Sequence, residues 1–99
     1  MATFITTIKF TDNGLQGIRE TGKRSAAFKA AAKKIGAKVT GIYWTLGPFD
    51  GLIVFEAPDD ETATATMLQL SSLGNVTTST SRAFSVGEIE KIIGMLAGP

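Results

Sequence analysis

Four consecutive large apolar residues, Leu52-Ile53-Val54-Phe55, constrain this chain more than any other feature. The run is too short for a helix and is bounded by turn chemistry, Gly47-Pro48-Phe49-Asp50-Gly51 before it and Pro58-Asp59-Asp60-Glu61 after it. Side chains of a strand alternate between two faces, so Leu52 and Val54 share one face while Ile53 and Phe55 share the other. A strand that is apolar at both parities needs cover on both sides, which is the pattern of a central strand in a layered structure. The rest of the fold has to supply two covers.

One cover is visible in the flanking segments. Thr3 to Phe10 reads as a strand, with Phe4, Ile5, Ile8 and Phe10 among threonines. Thr11-Asp12-Asn13-Gly14 signals a turn or cap, and Leu15 to Glu20 a short helical piece that Thr21-Gly22 interrupts. Lys23 to Ile35 is a helix rich in alanine, with Phe28, Ala31, Ala32 and Ile35 as its buried stripe and Gly36 as its terminator. Val39 to Leu46 is a second strand and Leu52 to Ala57 the third. Asp59 caps a helix whose apolar positions are Ala63, Met67 and Leu70, and Gly74 ends it. Val76 to Phe84 is a fourth strand. Thr77-Thr78-Ser79-Thr80-Ser81 within it is polar at both parities, which places it at a sheet edge. Ser85-Val86-Gly87-Glu88 is a capping box, and Val86, Ile89, Ile92, Ile93 and Leu96 form the stripe of a last helix over residues 85 to 97, expected to pack on the domain or on a neighbour.

The order β-α-β-β-α-β is the split βαβ, ferredoxin-like arrangement, an α+β sandwich with an extra C-terminal helix. Right-handed crossovers put strands one and three at the centre and both helices on one face. The chain's 99 residues are expected to form a single domain over 1–99. The second face then lacks cover, and only 19% of residues are charged, below the usual quarter. Sheet-to-sheet pairing with a second copy supplies the missing layer.

Composition also excludes chemistry. With no cysteine and no histidine, disulfides, zinc fingers, thiol catalysis, histidine-ligated haem and Ser-His-Asp mechanisms are out, and no metal or cofactor is expected. A net charge of +1 argues against nucleic acid or acidic membrane as partner. No stretch approaches a membrane span and Met1-Ala2-Thr3 begins no charged leader, so a cytoplasmic protein is expected.

Phe4-Ile5, Phe10-Thr11-Asp12-Asn13-Gly14, Lys23-Arg24 with Ala27-Phe28-Lys29, Gly41-Ile42-Tyr43-Trp44-Thr45-Leu46-Gly47, Phe49-Asp50 and Glu56-Ala57-Pro58-Asp59-Asp60 together carry a resemblance, over nearly the whole chain, to the GYD domain family. Ser72-Leu73-Gly74-Asn75-Val76 and Arg82-Ala83-Phe84 continue it. The name-giving Gly-x-Tyr-Asp reads Gly47-Pro48-Phe49-Asp50 here, so the phenol oxygen is lost. The resemblance implies a dimeric α/β-barrel assembly in which two such sheets pack face to face. It implies no common activity.

Six residues are candidates for lining a ligand site: Tyr43, Trp44, Phe49, Asp50, Glu56 and Arg82. Turn chemistry accounts for Gly47 to Asp50, and the functional alternative sets Asp50 at a cavity mouth. Tyr43 and Trp44 alternate, so one faces the helices and the other the far side of the sheet. Glu56, in an apolar strand, is expected to pair with Arg82 or Lys9, or else to be pushed up in pKa by burial. Residues 21–49 carry Lys23, Arg24, Lys29, Lys33, Lys34 and Lys38 and no acid. They read as a solvated face complementing a helix C-terminus, with an anion-binding helix face as the alternative. Gly14, Gly17 and Gly22 have the wrong spacing for a phosphate loop.

Three functions fit these residues. The first is a homodimer, or higher homo-oligomer, holding a small, partly apolar molecule between sheet and helices or at the dimer interface. The second is a cofactor-independent monooxygenase- or isomerase-like enzyme using Asp50 or Glu56 as base, with catalytic residues otherwise unassigned. The third is a structural or assembly subunit without a ligand.

Overall fold

A computed structural model describes residues 1–98 of the chain. Its elements are β1 (Ala2–Phe10), α1 (Asp12–Gln16), a 3-10 turn (Ile18–Glu20), α2 (Thr21–Ile35), β2 (Lys38–Trp44), β3 (Gly51–Ala57), α3 (Asp60–Ser71), β4 (Val76–Ala83) and α4 (Val86–Ile93). The four strands form one antiparallel sheet in the order β2-β3-β1-β4. The apolar run is therefore central, β1 is beside it, and the polar Thr/Ser strand lies at the edge.

Strand parity decides the core. Phe4, Ile8, Ile53 and Phe55 face α2 and α3 and are buried together with Phe28, Ala32, Ala63 and Met67. Phe4 and Phe55, paired across β1 and β3, stack with ring centroids 5.3 Å apart at 17°. Thr6, fully buried on the same face, donates to Met67 Sδ (3.2 Å) and shares a hydrogen bond with the Thr80 hydroxyl (2.8 Å), so its burial leaves no orphan group.

The opposite parity gives a face that no helix among the described residues covers. Ile5 and Tyr43 are exposed on it, and Leu52, Val54 and Glu56 are half-buried between them. Register sets Ile5 beside Val54, and Tyr43 beside Leu52.

Helix ends follow their caps. The Asp59 carboxylate accepts from Thr62 N–H (2.7 Å), and hydrogen bonds from the Thr62 hydroxyl and backbone hold its pKa below the ordinary value. At Ser85 both halves of the capping box form. Gly36 closes α2 at φ 108°, a left-handed conformation that favours glycine.

Several boundaries differ from the sequence reading: α1 begins at Asp12 rather than Leu15, and β2 ends at Trp44 rather than Leu46. Helix α2 starts at Thr21 rather than Lys23, because the 3-10 turn feeds directly into it and Gly22 falls in the exposed first turn, where glycine costs little. Helix α4 stops at Ile93, and none of its residues is buried. Of the two expectations for it, packing on its own domain buries none of its residues, and the chain is elongated: the long axis is 56 Å, and the radius of gyration, 15.4 Å, exceeds the roughly 13 Å of a compact chain of this length.

Candidate functional site

A cleft of about 70 Å³ opens on the helix side of the sheet, between α2, the end of β2 and the turn joining α3 to β4. Buried Ile8, Phe28, Ile53 and Val76 form its base, with Phe10, Ile42 and Leu70 half-buried above them. Trp44 and Leu73 reach its exposed edge. The polar lining residues are Thr21, Arg24, Ser25 and Asn75; no Asp or Glu lines it.

Two glycines permit close approaches beside the cleft. Gly51, between Ile8 on β1 and Trp44 on β2, carries no side chain, and a Cβ there would fall 2.8 Å from the Ile8 side chain. The α3–β4 turn is pinned from the other side. Thr11 N–H donates to the Asn75 carbonyl (3.1 Å), Thr11 Oγ1 to the Gly74 carbonyl (2.6 Å), and Asn13 Nδ2 to Asn75 Oδ1 (2.9 Å). Gly14 allows this approach, since a Cβ there would sit 2.0 Å from the Asn75 carbonyl oxygen.

The rim hydroxyls are occupied locally: Thr21 Oγ1 donates to the Ile18 carbonyl and Ser25 Oγ to the Gly22 carbonyl. Arg24 is different. It is half-buried, and among the described residues its guanidinium has no carboxylate within 4.0 Å and no hydrogen bond. It lies flush over Gly17, where a Cβ would come 2.2 Å from Nη2.

The six candidate residues are not gathered into one place. Trp44 alone lines the cleft. Tyr43 faces the open side, the alternation expected of neighbours on a strand. Asp50 closes the sheet end: its Oδ2 accepts from Phe10 N–H (2.9 Å), its N–H donates to the Ile8 carbonyl (2.8 Å), and its carbonyl accepts from Thr45 N–H (2.9 Å). Phe49 belongs to the same turn, where its carbonyl accepts from the Thr45 hydroxyl (2.6 Å).

Glu56 lies on the open face opposite Thr3 and Lys38. Its expected pairing with Arg82 or Lys9 does not form. Arg82, opposite Phe4, is on the helix face, and among the described residues Glu56 has no ion pair. Arg82 instead ties β4 to α4. Nη1 donates to the Thr3 carbonyl (3.2 Å) and to the Ala83 carbonyl, Nη2 reaches Glu88 Oε2 at 3.4 Å, and the guanidinium lies 4.6 Å from the Phe84 ring centroid. The Ser85 backbone N–H is the main cause that holds the Glu88 carboxyl below its ordinary pKa; burial opposes it, and Arg82 adds to it.

Lys29, Lys33 and Lys38 border a separate shallow hollow by Ala37 and Val39, with all three lysines exposed. Among the described residues no group of three His, Cys, Asp or Glu side chains could hold a metal ion, and no helix is long and apolar enough to cross a membrane.

Sheet order, helix placement and cleft together define a ferredoxin-like α+β domain with one closed and one open sheet face. The chain belongs to the GYD domain family, whose model matches residues 4–93. A Thermus thermophilus relative, "Glutamine synthetase and cystathionine beta-lyase binding protein", is 33% identical over 90 residues, covering 90% of this chain and 95% of that one. The crystal structure of TTHA0845 from Thermus thermophilus superposes with a TM-score of 0.57 at 25% identity, over 87% of this chain and 96% of that one.

Proposed function

We propose that the chain is a self-associating protein that holds a small, partly apolar molecule in the cleft between α2 and the sheet. The observation that carries this reading is the cleft itself. Nine apolar residues surround it, and no carboxylate in it offers a base for catalysis. Neither Asp50 nor Glu56 lines it, so the enzyme reading finds less support here than the binding reading. Pairing of two open faces is the second part of the proposal. Ile5, Tyr43, Leu52 and Val54 make an apolar centre that a second copy would remove from water.

Trp44, the chain's one tryptophan, provides the test. Titration with 4-methylpentan-1-ol and 4-methylpentanamide is expected to shift its emission saturably. A Trp44 emission unmoved by these probes, with calorimetry equally silent, contradicts a ligand cleft.

A second reading draws on α4. The Thermus relative is named for binding two enzymes, and α4 presents Val86, Ile89, Ile92 and Ile93 without any buried residue of its own. An enzyme-associated role predicts that Ile92→Glu abolishes capture of purified glutamine synthetase while leaving the fold intact. Equal capture by both forms contradicts it.

A further inference from the structure

We infer that the cleft takes a small monocarboxylate with a short branched hydrocarbon tail, its carboxylate held by Arg24; this rests on the cleft being a ligand site. The planar fork of N–H donors on a guanidinium matches a carboxylate bidentately. A half-buried cation with no internal carboxylate partner is free to receive an anion from outside the chain. Among α2's basic residues Arg24 stands apart: Lys23, Lys29, Lys33 and Lys34 are exposed, and Lys23 already lies 3.6 Å from Glu20. Gly17 leaves room for the guanidinium to lie flat at the rim, since any larger residue would displace it. Asn75 adds a second donor. Its Oδ1 is engaged by Asn13, while its Nδ2 has no acceptor among the described residues.

Charge narrows the ligand further. One guanidinium and no acid in the lining suit a monoanion better than a phosphate dianion. A free amino acid would bring an ammonium to a rim that has no carboxylate to receive it, so the site discriminates against it. Size sets the tail. About 70 Å³ is roughly half of the apolar cavity that accepts benzene, which limits the buried part of the tail to a short branched group beside Phe28, Ile42 and Leu70.

The experiment is calorimetry and Trp44 fluorescence on the full chain with 4-methylpentanoate, 4-methylpentanamide and leucine. The acid is expected to bind about tenfold or more tightly than the amide, and leucine more weakly than either. Arg24→Gln, checked for fold by circular dichroism, is expected to lose that preference for acid over amide, and Arg24→Lys to restore part of it. Gly17→Ala weakens the acid and leaves the amide unchanged. Equal affinity for acid and amide, or an acid preference that survives Arg24→Gln, overturns the Arg24 assignment while leaving the cleft reading in place. Failure of acid and amide alike removes both.

Discussion

On one face of the sheet Phe4, Ile53 and Phe55 lie beneath α2 and α3, sealed from solvent; on the other, Ile5 and Tyr43 stay exposed beside half-buried Leu52 and Val54. The two sets alternate along the same strands, so composition does not distinguish them. What differs is where the chain puts its helices. Both crossovers fall on one side, as right-handed βαβ connections require, and nothing remains for the second side except α4, which buries no residue. The closed face therefore supplies the buried core and shapes the cleft, while the open face leaves Ile5 and Tyr43 in solvent beside half-buried Leu52 and Val54.

Substitutions at neighbouring positions separate the two roles. Phe55→Ala removes a fully buried ring stacked on Phe4 and is expected to cost about 3–5 kcal/mol in urea unfolding, the largest effect in the molecule. Val54→Lys, one residue away, is expected to leave the monomer folded and to weaken self-association by about thirty-fold or more, read by sedimentation. If Val54→Lys unfolds the chain and leaves association untouched, the division between the faces is wrong. Asp50→Ala strips Phe10 N–H of its acceptor at the end of the closed face, for an expected loss of about 1–2 kcal/mol and faster amide exchange at Phe10.

The smallest effect is in pH. The folded-state pKa of Glu88 lies below its ordinary 4.5, and that of Asp59 below 3.8. A carboxyl lowered on folding stabilises the helix it caps at pH above the unfolded value and loses that contribution as pH falls through the folded one. Helices α3 and α4 are thus expected to hold their circular dichroism down to about pH 4 and to fray below it. Carbon-detected titration of Glu88 should give a midpoint under 4.5; a midpoint above it contradicts the capping box.

The fold was largely legible because its signals are local. Turn residues at Gly47–Gly51 and Pro58–Glu61, the cap at Asp59, the box at Ser85 and the polar strand at 77–81 each act within a few positions. The cleft was not, since its lining comes from residues as far apart as Ile8, Arg24, Ile42, Leu70 and Asn75. Arg24 read as one charge of a solvated face, and only its half-burial and missing partner set it apart from the lysines. Gly14, set aside as part of no phosphate loop, is required by a close backbone approach that no spacing rule encodes, and Gly17 by contrast meets only the end of the Arg24 side chain. Glu56 and Arg82 looked like partners until register put them on opposite faces. Tyr43 and Trp44 were separable by alternation alone, although nothing in the sequence said which of them would face the helices.

The central claim, a paired domain with a small acid on its helix side, is tested most directly by native mass spectrometry in the presence of 4-methylpentanoate. The account predicts a species at about twice 10.4 kDa that carries bound acid. A clean 10.4 kDa monomer with no adduct as the acid concentration is raised would contradict it.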